Sequence, residues 1–453
     1  MGGYALCPVP RIAAFLTLTS GSPAPLRAVD RVAEGRGLDA RDRALVRRLV
    51  GSEIRRRGTL RALVDAFARP KPKPELALIL RLGLAQLFFM DRIPPHAALS
   101  ETVDAASRLL GESKGRFVNA VLREALRARG EGRTGDPTRD LVGRPWHLAK
   151  PIFRDPDEHP ALWAEDALSI PAALFKRWSK RHGAETATRL ARLALDEPPL
   201  SLRVTAHGHR EAIAQELEAL GVATREGLHP AILLADADAT GAVVQSEAFA
   251  DGRITVQGET ALRAALLVGA SAGQRVLDLC AAPGGKTAVL AESGAEVIAL
   301  DRSARRLADV PGGLRRLRPA GVVRLAVSDG DLGLSPAAPP FDAVLVDVPC
   351  SNTGVLAARP EARWRFGPAT LSSLVEEQAR LLRAACARVR PGGAVVHSTC
   401  SLEPEEGAQL VRRILAEDTR FELEAEHSAL PDSAPNGGPV DGGYAARLVR
   451  SKG

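Results

Sequence analysis

Over residues 11–129 the apolar positions recur three and four apart, the spacing of one buried helix face. DRALVRRLVGSEIRR and ELALILRLGLAQLFFM both read this way. ARPKPKPE separates them, because proline stops a helix and has no N–H to donate. IPPHAALSETVDAASRLL sets Pro94 and Pro95 at a helix start, and GRFVNAVLREALRARG is a further amphipathic helix. Residues 1–130 therefore predict an all-α domain of about six helices, opening after a short leader. Residues 131–165, with EGRTGDPTRD and PIFRDPDEHP, are rich in proline, glycine and charge and read as a linker. Trp146 and Trp163 lie in it and are expected to anchor it on a neighbouring domain rather than to stack on RNA.

Residues 166–255 mix the two periods. Helices fit ALFKRWSKRHG, LARLALDE and EAIAQELEALG, and short strands fit PLSLRV and AILLA, giving a small α+β module. From 256 to 453 the rhythm becomes strand, helix, strand. QRVLDLC, AEVIALD, VVRLAVSD, FDAVLVDV and GAVVHST are short apolar runs of the kind buried on both faces of a parallel sheet. Helices fit KTAVLAES, SARRLADV, LSSLVEEQARLLRAACARV and EEGAQLVRRILAED between them. FELEAE and YAARLVR would add a terminal antiparallel pair. The expectation is a multidomain α and α/β protein whose C-terminal domain has a mostly parallel, doubly wound sheet.

Composition narrows this picture without changing it. The 453 residues are 45% hydrophobic and 25% charged, as in a globular protein. No run of 18 apolar residues predicts a membrane span. MGGYALCPVPRIAAFLTLTSG has a single basic residue, Arg11, before its short apolar run, and reads better as a first helix than as a signal peptide. Five cysteines, without CxxC pairs or histidine partners, argue against a disulfide framework and a zinc site. A reducing cytoplasm, no metal and a monomer are expected. Charge is uneven. Residues 1–130 hold 23 of the 61 Lys and Arg but 12 of the 54 Asp and Glu, a net of +11, against −4 for the rest. Such a domain is expected to meet a polyanion, most commonly nucleic acid.

The candidate chemistry lies where two strands end. Cys350 closes FDAVLVDVPC and Cys400 closes GGAVVHSTC. Ligands of an open α/β sheet bind beyond the carboxyl ends of its strands. Neighbouring strands run roughly 5 Å apart, so both thiols can share one crevice. A thiolate there attacks electrophilic carbon well. Two core cysteines are the plain alternative, weakened by Pro349 before one of them and the acid Asp347 close by. CAAPGGKT, residues 280–287, is a glycine turn between a strand and its helix. It lacks the G-x-G-x-x-G of dinucleotide folds, and Cys280 stands where a P-loop needs its first glycine. S-adenosylmethionine remains. Asp301 is placed for its ribose and Asp329 for its adenine, each at the end of a successive strand.

LDLCAAPGGKT, LDRS, VSDG, LVDVPCSNTG, RPGG and HSTCSLEPEE together resemble the RNA (cytosine-C5) methyltransferases of the NOL1/NOP2/Sun family. DRALVRRLVG, LRLGLAQLFFMDRIPPHAALSETV and RFVNAVLR resemble the NusB fold. A NusB-like domain ahead of this Rossmann-like methyltransferase is the arrangement of the bacterial 16S ribosomal RNA enzymes of the Sun/Fmu/RsmB type. The resemblance implies that Cys280, Ala281, Ala282, Pro283, Gly284, Gly285 and Lys286 hold the methionine part of the cofactor. It implies that Asp347 lies between cofactor and base, that Cys400 is the nucleophile and that Cys350 helps release the product. Trp364 and Arg363, on the loop after Cys350, are candidates to stack on or clamp RNA. The pattern is departed from at Gly258, where Asp is usual, at Asp331, where a base is usual, at Gly407, where Asn is common, and at His397, where Tyr is more common. A transfer RNA substrate and a non-catalytic RNA-binding assembly factor are the alternatives the residues leave open.

Overall fold

The computed structural model describes residues 10–329, 340–433 and 439–452. The chain divides into two compact units, Met1–Leu195 and Asp196–Gly453.

The first unit opens with seven helices rather than about six. They are α1 (Pro10–Thr19), α2 (Pro25–Glu34), α3 (Ala40–Arg55), α4 (Arg57–Phe67), α5 (Pro74–Phe89), α6 (Pro95–Leu110) and α7 (Glu112–Arg127). The additional break falls at Arg56, between α3 and α4, where no proline or glycine announces it. The helix expected near the start is α1; the leader before it, residues 1–9, lies outside the described residues. Proline at the first position opens α2, α5 and α6, where its missing N–H costs nothing.

Residues 131–165 are folded. β1 (Arg129–Glu131) and β2 (Trp146–Leu148) pair antiparallel, and α8 (Pro160–Ala167) follows. Asp140, nearly buried, accepts hydrogen bonds from the Thr134 and Gly135 N–H groups and so closes the intervening turns internally. Trp163 is buried and its indole donates to the Pro137 carbonyl at 3.0 Å. Arg129 lies over the Trp146 ring. Composition suggested a linker because it cannot show these bonds. α9 (Ala172–His182) and α10 (Ala184–Leu193) complete the unit, so the two helices read as the start of the α+β module belong here.

The second unit begins with a four-stranded antiparallel sheet of order β4-β5-β3-β6. Its strands are β3 (Leu200–Val204), β4 (Thr224–Glu226), β5 (Ile232–Ala235) and β6 (Ile254–Val256). α11 (Arg210–Ala219), α12 (Thr240–Gln245) and α13 (Glu247–Ala250) connect them.

After α14 (Glu259–Leu267) come β7 (Arg275–Asp278), α15 (Gly285–Glu292), β8 (Glu296–Asp301), α16 (Ala304–Leu307), α17 (Val310–Leu317), β9 (Val323–Val327), β10 (Phe341–Asp347), α18 (Pro368–Arg388), β11 (Val389–Thr399), α19 (Ala408–Glu417) and β12 (Phe421–Ala429). A two-residue pair, β13 (Asp432–Ser433) and β14 (Pro439–Val440), precedes β15 (Gly443–Arg450). The large sheet has the order β12-β15-β11-β10-β7-β8-β9. β15 runs antiparallel to β11 and β12, and the remaining pairs are parallel. Leu277, Val344 and Val346 face a core with α18 and α19, while Val276, Leu345 and Val396 face one that includes Leu290 and Ala291 of α15. Both faces are covered, which is why these strands read as unbroken apolar runs.

Candidate active site

The strand order reverses between β7 and β10. The chain winds outward from β7 through β8 to β9, then crosses to β10 on the other side of β7. A sheet of this kind opens a crevice at that switch point, beyond the carboxyl ends of the strands. The loop after β7, Asp347 ending β10 and the residues after β11 all reach it.

The loop from Cys280 to Gly284 is drawn tight. Its Ala281 N–H donates to the Leu300 carbonyl and its Gly284 N–H to the Ala281 carbonyl. The Ala282–Pro283 peptide is cis, and Gly284 has φ +97°, a conformation open to glycine. A β-carbon at Gly284 would also come within 2.9 Å of Val310. Val310 thus packs against the loop at Gly284, and the first turn of α15 begins directly after it.

Asp301 ends β8 and is buried. Its carboxylate accepts from the Ala282 N–H at 3.1 Å and the Ser303 N–H at 2.8 Å, so it also fastens the glycine loop. Asp329 lies beyond β9, exposed, with its carboxylate taken by Arg380 at 3.3 Å. Asp331, the departure noted two positions on, lies outside the described residues.

Lys286 and Asp347 form an ion pair, Nζ to Oδ2, at 2.6 Å. Burial disfavours the ammonium, but the attraction and hydrogen bond of Asp347 outweigh it and raise the Lys286 pKa. The other carboxylate oxygen accepts from Ser398 Oγ at 2.8 Å. That partner follows from register, since Asp347 and Ser398 face each other across β10 and β11. Below them Asp278, at the end of β7, is buried. Thr287 Oγ1 donates to its Oδ2, and its Oδ1 has no partner among the described residues. Burial pushes this carboxyl up to about 7. The acid inside LDLC was its only trace in the sequence.

The two sulfurs of Cys350 and Cys400 lie 3.2 Å apart. They are within hydrogen-bonding distance, and either can be the donor. The hydrogen bond from Cys400 holds Cys350 below the ordinary thiol value, and the same contact, with burial, drives Cys400 well above it. Asn352, in the left-handed region at φ +60°, clasps the pair. Its Nδ2 donates to the Cys350 carbonyl at 2.7 Å, and its Oδ1 lies 3.3 Å from Cys400 Sγ and accepts from Arg359 at 2.8 Å. Behind the thiols sits Glu406, fully buried. It accepts from the Ser351 N–H at 2.9 Å, from Gln378 Nε2 at 2.8 Å and from the hydroxyls of Ser351 and Ser401. Asn352, Arg359, Ser398 and Glu406 were not singled out in the sequence, because each acts through a neighbour brought by the fold.

Two candidates separate from this group. Arg363 is fully buried and donates to the carbonyls of Pro360 and Leu356, so it braces its own loop and is not available to clamp RNA. Cys280 opens the glycine loop with its thiol pushed up, chiefly by burial. Cys386, by contrast, is a core cysteine of α18. Among the described residues no group of three or more His, Cys, Asp or Glu is placed to hold a metal. No helix there is long and apolar enough to cross a membrane.

The chain is similar to known proteins along most of its length. The family model for the 16S rRNA methyltransferase RsmB/F matches residues 265–438, and that of the NusB family matches residues 15–127. A probable ribosomal RNA small subunit methyltransferase B of Synechocystis is 33% identical over 87% of this chain and 86% of its own. The ribosomal RNA small subunit methyltransferase B of Xylella fastidiosa strain Temecula1 is 36% identical over 83% of this chain and 81% of its own. The crystal structure of PH0851 shares the fold, with a TM-score of 0.77 at 21% identity over 99% of this chain and all of that one.

Proposed function

The chain belongs to the RsmB/F family of 16S rRNA methyltransferases, whose methyl donor is S-adenosylmethionine, and from that premise we propose that it methylates C5 of a cytosine in 16S ribosomal RNA through a covalent Cys400–C6 bond. The observation that carries this reading is the pair of sulfurs at 3.2 Å, beside the Lys286–Asp347 ion pair, at the carboxyl ends of two adjacent parallel strands.

Bound in the crevice, S-adenosylmethionine supplies an electrophilic methyl group. The glycine loop and the start of α15 would hold its methionine part, and Asp301 and Asp329 would take its ribose and adenine. Cytosine C5 is a weak nucleophile until a thiolate adds to C6. Cys400 gives up its proton, and Cys350, the thiol whose ionisation the pair favours, is within reach to take it. The electron pair of the C5–C6 bond then moves to C5, which takes the methyl. Addition of the thiolate drives negative charge toward N3, and Asp347 is the residue that would favour it, by protonating N3 or donating a hydrogen bond to it. Cys350, once it has passed that first proton to solvent, removes the C5 proton, the Cys400–C6 bond breaks, and Cys400 leaves as the thiolate. The base must be unpaired or flipped out to reach these groups.

Incubation with 16S RNA or transfer RNA, then bisulfite sequencing, tests the substrate. The Cys400→Ala variant is expected to bind RNA and cofactor and transfer no methyl. Cys350→Ala is expected to accumulate a protein–RNA adduct that survives a denaturing gel, and the double variant to form none. An adduct in Cys400→Ala and none in Cys350→Ala would reverse the two roles. Normal methylation by both single variants would make them core cysteines.

A further inference from the structure

Gln257 follows β6 and precedes Gly258, the residue that opens α14. Its side chain is 6% exposed. Its Oε1 accepts from Arg203 Nε at 2.6 Å, and Arg203, itself 2% exposed, donates from both terminal nitrogens to Glu292 at 2.7 and 2.9 Å. A guanidinium only donates, so the amide oxygen must face it. The direction of Nε2 is thereby fixed. That nitrogen is buried and has no hydrogen-bond partner among the described residues.

It lies against the cofactor loop. A β-carbon at Gly285, the first residue of α15, would be 3.5 Å from Nε2. Gly284 and Gly285 offer no side-chain acceptor, and the first turn of a helix directs its own unpaired N–H groups toward the same place. A buried amide without an acceptor is destabilising, and a ligand oxygen would offset that cost. Donors that converge on a helix N-terminus suit a carboxylate.

We propose that Gln257 is a cofactor-binding residue whose Nε2 donates to the carboxylate at the methionine end of S-adenosylmethionine, held in that orientation by Arg203 and Glu292. This rests on the reading that residues 280–286 hold the methionine part. Arg203 is then a positioning residue acting through the amide.

Two ligands separate the contributions. S-adenosylhomocysteine carries the amino-acid end, and 5′-methylthioadenosine keeps the adenosine without it. In calorimetry on the full chain, Gln257→Leu is expected to weaken S-adenosylhomocysteine by about 10- to 100-fold while 5′-methylthioadenosine changes less than about twofold. Arg203→Met is expected to show the same selectivity with a smaller loss. Gln257→Glu, which keeps the shape and reverses the electrostatics, is expected to weaken S-adenosylhomocysteine at least as much as Gln257→Leu, with 5′-methylthioadenosine again little changed, and stands in if the latter does not fold. Equal weakening of both ligands, or of neither, would overturn the assignment. Asp301→Ala serves as the separate control, since both ligands share the ribose. If it weakens both while Gln257→Leu is unselective, only the role of Gln257 fails. If it weakens neither, the cofactor reading of the crevice fails with it.

Discussion

At Glu406 four donors from three segments meet one buried carboxylate: the Ser351 N–H and hydroxyl, the Ser401 hydroxyl and Gln378 Nε2. Ser351 and Ser401 each follow one of the paired cysteines, so this carboxylate sets the spacing of the two thiols from behind. Glu406→Ala would leave several buried polar groups without partners, at about 1–3 kcal/mol for each. A clear fall in melting temperature is expected, with the thiols alkylated by iodoacetamide at rates that no longer differ as in the native pair. Glu406→Gln keeps two acceptor or donor ends and is expected to lose less. An unchanged melt in Glu406→Ala would mean that Glu406 does not set this spacing.

Between elements, two departures from the family pattern have a physical cause. A β-carbon at Gly258 would stand 2.9 Å from Asp441 Oδ2, so the carboxylate usual at 258 has its place next to one supplied from the turn before β15. A β-carbon at Gly407 would meet the Tyr444 ring at 2.9 Å, and the same ring packs near His397, whose Nε2 faces the Glu406 carbonyl. Burial pushes Asp441 up to about 6. The folded protein therefore holds this proton more tightly than the unfolded chain. The stability linked to it is full below about pH 4 and is lost as the pH rises through about 6. Gly258→Asp would set a second carboxylate against the first. It is expected to cost on the order of 1–3 kcal/mol, more at pH 8 than at pH 5. Adding Asp441→Asn should remove the pH-dependent part. Thermal melts at the two pH values decide it, and an equal loss at both would exclude charge repulsion as the cause.

Across the whole molecule, charge is divided between the parts. The helical N-terminal residues carry the net +11, while the site lies in the more acidic remainder. We propose that the NusB-like helices add RNA affinity through phosphate contacts. A protein that neutralises phosphates releases counterions, so its affinity falls steeply with salt. The full chain is expected to bind a 16S RNA fragment with a steeper salt dependence than residues 196–453 alone. Identical slopes would assign the basic surface to another partner or to folding. The truncation belongs at 195/196, because a cut at 130 would pass through β1.

The sequence alone determined the order along the chain of the strands in the large sheet, since burial on both faces imposes unbroken apolar runs. It also carried the glycine loop and the cysteines, whose chemistry is written in residue type. Local pattern could not show that residues 131–165 are folded. The bonds of Asp140 and Trp163 there depend on which carbonyls and amides the turns bring near. Nor could it separate Arg363, buried against its own loop, from Arg359, which reaches the thiol pair through Asn352. The sulfur–sulfur distance, the Lys286–Asp347 pair, the enclosure of Glu406 and the direction of Gln257 Nε2 were decided by tertiary structure. Each depends on the distance between groups far apart in the chain, and hydrogen bonds and pKa shifts follow from such distances, which only the folded sheet fixes.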